Sequence, residues 1–181
     1  MLFRTLNLAD AKALRNLRAL VDADGTLGSE SERLRALTPE GIAQQLRPPY
    51  ETFGAFAEEE LIGSAALYQF PAEPFDDEPW SAIAGVIVHP SARKQGVGRT
   101  LVEMCLNRIQ ELGAHGVSLV VNVPNPAAVA LYESLGFESD EAEKGDCEVE
   151  KAEYLHNGQR YVEVTMRMRF ASLSSTGAAS S

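Results

Sequence analysis

The sequence predicts an α/β fold, and three observations carry that prediction. Strand and helix signals alternate from Leu2 to about Phe170. Two pairs of apolar segments are joined by short polar turns, which reads as two antiparallel hairpins. A third stretch, Ala82 to Val123, runs strand, helix, strand, and such a unit pairs its strands in parallel with a right-handed crossover.

The elements follow in order. Leu2, Arg4 and Leu6 bracket a short first strand. Asn7 then caps a helix whose apolar positions Leu14, Leu17, Leu20 and Val21 recur at helical spacing. Gly25 to Glu32 is a polar loop. Thr38, Pro39 and Glu40 read as the N-cap, first-turn proline and first-turn acid of a second helix, which Pro48-Pro49 stops. Thr52–Ala57 and Leu61–Tyr68 are the strands of the first hairpin, with Glu58-Glu59-Glu60 as the turn. Pro71 to Pro79 is a proline-rich acidic loop. Ala82–Val88 is a continuous apolar run, as expected of a strand buried on both faces. Leu101, Val102, Cys105, Leu106, Ile109 and Leu112 form a helical stripe that Gly113 ends, and Val117–Val123 is the next strand. Asn125 and Pro126 open a last helix carrying Val129, Leu131, Tyr132 and Leu135, with Gly136 beyond its end. After an acidic segment, Glu138 to Glu153, the second hairpin closes the chain. Its strands are Tyr154–His156 and Tyr161–Phe170, around the turn Asn157-Gly158. Residues 1–170 read as one domain. The small polar residues 171–181 read as a disordered tail, because they cannot bury enough apolar surface to offset their ordering entropy.

At 181 residues the chain can bury a real core without disulfides or a metal. Its two cysteines, Cys105 and Cys147, make no disulfide framework, and no His/Cys spacing marks a metal site. No run of about 18 apolar residues occurs, so a membrane span is excluded. Met1–Thr5 has no signal-peptide pattern, and the expectation is a cytoplasmic protein. A net charge of −10 sets nucleic acid aside as a partner, since phosphate neutralisation needs a basic face. The acidity itself reads as a solubility feature.

Against that background Arg93-Lys94-Gln95-Gly96-Val97-Gly98-Arg99 reverses the local sign, with three bases and no acid. It lies between an apolar strand and a helix. Glycine there lets the backbone approach a ligand, and a helix N-terminus presents unpaired N–H groups and partial positive charge. The segment is therefore a candidate anion site. It is neither a Walker sequence nor a dinucleotide fingerprint, because the glycine spacings of both are missing.

These residues resemble the signature of the GCN5-related N-acetyltransferase (GNAT) superfamily. That signature, Arg/Gln-x-x-Gly-x-Gly/Ala after a strand ending Val-x-Pro, is matched by Val88-His89-Pro90 and Arg93 to Gly98. A second family pattern is an asparagine opening a helix that carries Leu-Tyr and ends Gly-Phe. Asn125, Leu131-Tyr132 and Gly136-Phe137 match it. The resemblance implies a mixed, mostly antiparallel central sheet with helices on both faces and one parallel pair splayed for acetyl-CoA. It implies that Arg93, Lys94, Gln95, Gly96, Val97, Gly98 and Arg99 hold the pyrophosphate of that cosubstrate. Val86, Ile87 and Val88 would pair with the pantetheine arm and polarise the thioester carbonyl. Asn125 would contact the arm, in addition to capping its helix.

Tyr132 matches the family's general acid. A phenol with a reference pKa of about 10 is protonated at neutral pH and can supply the proton a leaving thiolate needs. The base is where the chain departs from the family. At pH 7 roughly one alkyl amine in a few thousand is neutral, a cost of about 4–5 kcal/mol unless the site removes the proton. Many relatives place a glutamate on the strand before the signature, whereas Ser81 to Gly85 holds no ionisable side chain. His89, Glu73, Asp76, Asp77 and Glu78 are the candidates, and those acids could also attract a cationic acceptor. The implied acceptor is a small-molecule amine or a protein N-terminus, and a homodimer is an open alternative to a monomer. The competing functional reading is a non-catalytic acetyl-CoA-binding regulatory module. The missing strand glutamate favours that reading, and the retained Tyr132 opposes it.

Overall fold

In the computed structural model, which describes residues 1–22, 36–70, 79–139, 153–156 and 158–170, one sheet organises the chain. Its strands are β1 (Leu2–Thr5), β2 (Tyr50–Ala57), β3 (Glu60–Gln69), β4 (Trp80–Val88), β5 (Gly116–Val123), β6 (Glu138–Ser139), β7 (Glu153–His156) and β8 (Gln159–Arg169). The order is β1-β2-β3-β4-β5-β8-β6, with β7 also paired to β8. Among the described residues β4 and β5 pair in parallel and every other pairing is antiparallel. The helices lying wholly within the described residues are α1 (Ala11–Asp22), α2 (Pro39–Gln45), α3 (Val97–Glu111) and α4 (Pro126–Ser134). The loop Gly25 to Glu32, the acids Glu73, Asp76, Asp77 and Glu78, Cys147, Asn157 and residues 171–181 lie outside the described residues.

Helices cover both faces. Leu14, Leu17 and Val21 of α1 and Ile42 of α2 pack with Leu6, Phe56, Leu61 and Ile87 on one side. On the other, Leu101, Val102, Cys105, Leu106 and Ile109 of α3 meet Phe53, Ile62, Ile83, Val117, Leu119 and Met166. Leu101 and Ile109 are fully buried, and replacing such a side chain with alanine costs about 2–5 kcal/mol through lost burial and the cavity left behind. The expected helix starts are present with one refinement. Asn7 caps a single 3-10 turn, Leu8–Asp10, that leads into α1. Leu20, expected on the inner stripe, is 45% exposed, and Arg18 takes the inward position instead.

Two expectations about strands need correction. The acidic segment after Phe137 begins with the two-residue strand β6, held by β8. More consequentially, β4 is not buried on both faces: Ala84, Gly85, Val86 and Val88 are half-buried. Its apolar run has a second purpose, the lining of a cleft. Two features make that cleft. The β4–β5 ladder stops at Ile83↔Leu119, although both strands continue. Beside that point β4 carries a bulge against β3: Ala84 pairs with Ala66 and Ile87 with Ser64, three steps against two. Gly85 sits in the bulge at φ +59, a left-handed conformation natural to glycine. The extra residue explains why Ile83 joins the α3-side core while Ile87, four residues on, joins the α1-side core. In a regular strand the two would share a face.

Candidate active site

Beyond Ile83 and Leu119 the parting strands open a cleft of about 1130 Å³. Its sheet walls are β4 from Ala82 to Val88 and β5 from Ser118 to Asn122. One end is closed by the N-terminus of α3 and by α4, the other by α1 and α2.

At the α3 end the chain leaves β4 through a 3-10 turn, Pro90–Ala92, and enters the helix with two left-handed residues. These are Lys94 at φ +62 and Gly96 at φ +82. Gly96 is the N-cap and, having no side chain, makes no capping bond. The first N–H groups of α3, at Val97, Gly98 and Arg99, are therefore not taken by a cap, and the helix dipole adds to their pull on an anion. A Cβ on Gly98 would stand 3.5 Å from Leu131 and Val88, ordinary contact distance. Packing alone would admit alanine there, so glycine leaves room on the cleft side. Arg93 Nε donates to the Val88 carbonyl at 3.2 Å, and Arg99 bonds Ser134 Oγ at 2.5 Å.

Asn125 caps α4, accepting from the Ala128 N–H at 3.2 Å, and also lines the cleft. Helix α4 places Tyr132 on the wall, 6% exposed, with its ring 5.9 Å from that of Phe137. Burial pushes the phenol up to about 12, with the nearby Cys105 as the lesser cause. Cys105 itself is fully buried, and burial pushes its thiol up to about 12.

The structure thus gathers Val86, Ile87, Val88, Arg93, Lys94, Gly96, Val97, Gly98, Arg99, Asn125 and Tyr132 around one cleft. Of the cofactor-binding residues expected from sequence, Gln95 is outside the cleft lining, its amide turned back to the Ser91 carbonyl at 2.8 Å. His89 does not line the cleft either. Its Nδ1 accepts from the Ser91 N–H at 3.2 Å and caps the turn.

Sequence reasoning missed several polar residues of the cleft, Glu163, Asn122 and Arg18 among them. Glu163 of β8 lines it, opposite Asn122 of β5, whose Oδ1 is buried without a partner. Arg18 lines the α1 end. A signal for Arg18 exists: Leu14, Leu17, Arg18 and Val21 fall at i, i+3, i+4 and i+7, which puts an arginine in an apolar stripe. Among the described residues no group of three or more His, Cys, Asp or Glu could hold a metal ion, and no helix is long and apolar enough to cross a membrane.

A mixed sheet opening where its parallel strands part, with an uncapped helix N-terminus at one end, defines an α/β protein shaped for an extended anionic ligand. The chain belongs to the acetyltransferase (GNAT) family, whose model matches residues 15–137. The family and the mixed sheet expected from the motifs are thereby both found. Over 57 residues the chain is 39% identical to the ribosomal protein bS18-alanine N-acetyltransferase of Escherichia coli (strain K12). That stretch is 32% of this chain and 38% of that protein. Over 84 residues, 45% of this chain and 25% of the other, it is 38% identical to the mycothiol acetyltransferase of Paenarthrobacter aurescens (strain TC1). The chain therefore spans well under half the length of either relative it matches. Among solved structures, PaiA N-acetyltransferase from Thermoplasma acidophilum, in complex with coenzyme A, shares the fold with a TM-score of 0.69. It is 16% identical, with 93% of this chain and 98% of that chain covered.

Proposed function

We propose that the protein transfers the acetyl group of acetyl-CoA to a primary amine by direct attack, with Tyr132 as general acid. The observation that carries this reading is the convergence of both family motifs on the single cleft where β4 and β5 part. The pyrophosphate docks on the N–H groups at the start of α3, flanked by Arg93, Lys94 and Arg99. The pantetheine arm runs along β4 beyond Ile83, where the strand has lost its ladder partner β5. Backbone N–H groups of Val86 to Val88 polarise the thioester carbonyl, and Asn125 contacts the arm.

The amine nitrogen attacks the carbonyl carbon, the C–S bond breaks, and the thiolate of coenzyme A takes a proton from Tyr132. A phenol near 12 is a weak acid against a thiol of about 8.5. Its donation therefore begins as a hydrogen bond to the developing thiolate, and the proton follows as the amine releases its own. Glu163, the carboxylate among the described cleft residues, is the group assigned to take that proton through water. The thiol of Cys105, held near 12, offers no thiolate to carry the acetyl group, which supports direct attack over an acetyl-cysteine intermediate.

The acceptor class is a small amine or a protein N-terminus, and the bS18-alanine and mycothiol enzymes illustrate how far acceptors diverge between relatives. Thiol release from acetyl-CoA across a panel of amines is the test. Release that depends on an amine supports the transferase. Binding of acetyl-CoA with no release for any amine would leave the regulatory-module reading standing.

A further inference from the structure

The α1 end of the cleft holds a buried cation. Arg18 is 2% exposed and lines the cavity. A guanidinium has five N–H donors and does not shed its charge in proteins. Nη1 donates to the Ala36 carbonyl at 3.3 Å and Nη2 to Gln45 Oε1, while Nε is buried with no partner. No carboxylate forms an ion pair with it among the described residues. Burial alone pulls its pKa down, to about 10, with no acid acting in the opposite direction. A charge in this position calls for a counter-charge.

Its place in the cleft says where that counter-charge sits. A Cβ on Gly85 would stand 3.0 Å from Arg18 Nη2 and 3.7 Å from Gln45 Oε1. Gly85 is the bulge of β4, one residue before the Val86 to Val88 stretch assigned to the thioester carbonyl. One residue of a strand advances about 3.3 Å. An anion on Arg18 and an amine poised at that carbonyl are thus separated by a few covalent bonds.

Building on the acetyltransferase reading, we propose that the acceptor carries a carboxylate a few bonds from its amine, and that Arg18 holds that carboxylate. Arginine's planar fork matches two carboxylate oxygens, with Gln45 and the Ala36 carbonyl fixing its orientation. The cleft then has a cationic group at each end, one for each substrate. A protein N-terminus fits less well, because an amide follows its amine where the site calls for a charge.

The experiment compares free α- and β-amino acids with their carboxamides and with short peptides. It reads thiol release with acetyl-CoA and, separately, the melting temperature with coenzyme A present. With the wild-type protein, the best acid should exceed its carboxamide in kcat/KM by about 10–100-fold, the worth of a hydrogen bond to a charged group, mostly through KM. That comparison needs no variant. Arg18→Met should collapse the ratio towards one, and Arg18→Lys should leave an intermediate value. Equal turnover of acids, carboxamides and peptides overturns the proposal and leaves the transferase reading intact. A carboxylate-dependent melting shift that Arg18→Met abolishes, with no thiol release, keeps the anion site and sinks the transferase reading. An acid preference that survives Arg18→Met, or no response to any member of the panel, also overturns it.

Discussion

At one end of the cleft the groups proposed to meet a ligand are backbone N–H groups of Val97, Gly98 and Arg99; at the other they belong to the side chain of one buried arginine. The two ends leave different traces in the sequence. Recognition by main chain needs particular backbone geometry, here Gly96 at φ +82 opening α3 without a cap, and glycine spacing records it. Recognition by a side chain needs one residue in one place, and its record is a single arginine inside an apolar stripe. On the proposed reading the α3 end holds the cosubstrate and the α1 end selects the acceptor.

The sharpest way to break this picture is where the two ends meet. Tyr132→Phe keeps the buried ring and removes the donor, so turnover should fall about 10²–10⁴-fold with little change in acetyl-CoA affinity. Near-wild-type turnover on the best acceptor would show that another group protonates the thiolate. Burial also changes an expectation a free phenol would give. With its pKa near 12, Tyr132 should impose no alkaline fall in rate below about pH 11.

Glu163→Gln probes the acceptor side of the same step. Turnover should drop about 10²-fold at pH 7 and recover as pH rises towards the amine's own pKa. A pH–rate profile parallel to wild type would remove Glu163 from the mechanism.

Charge reversal at the α3 end should act on the cosubstrate alone. Gly98→Asp or Arg93→Glu should weaken acetyl-CoA binding by tenfold or more while the free protein melts close to wild type. For the wild-type protein, acetyl-CoA at 100 times its Kd should add about 2.7 kcal/mol of stability, and at the same concentration a tenfold weaker variant should keep about 1.4 kcal/mol. Calorimetric titration showing unchanged affinity would empty the site of its assignment.

Alkali should act on stability as well. The folded-state values of Tyr132 and Cys105, both about 12, lie above their ordinary values of 10.0 and 9.0. Between those limits the folded protein binds more protons than the unfolded chain, so stability is full below about pH 9 and declines as pH rises towards 12. Denaturant melts from pH 8 to 11.5 should show that decline, and Tyr132→Phe should flatten its upper part. A slope identical in the variant would mean the phenol is not buried in solution.

Much of this architecture is legible in the residues. Asn125-Pro126, Thr38-Pro39 and Gly113 mark helix boundaries because capping is local chemistry. The strand–helix–strand unit and its parallel pairing follow from periodicity and handedness. What stayed hidden depends on distant partners. Glu163 reaches the cleft because β8 lies beside β5, a pairing between segments far apart in the chain. The exposure of Leu20 and burial of Arg18 turn on which side of α1 the sheet covers. Apolar Ala82–Val88 reads as core because a wall lined for a ligand and a wall lined for packing use the same side chains.

The bulge in β4 has a consequence for how the chain would respond to losing a residue. Excising Gly85 would leave Ile83, Val86 and Val88 alternating with Ala84 and Ile87, so every inward side chain would keep its present side. Neither hydrophobic core asks for the extra residue. What it supplies is the bend that carries the end of β4 away from β5. A shortened strand would run straight and could extend its ladder past Leu119, closing the cleft by hydrogen bonds. The insertion costs the sheet a stretch of pairing, and that forgone pairing is the opening itself.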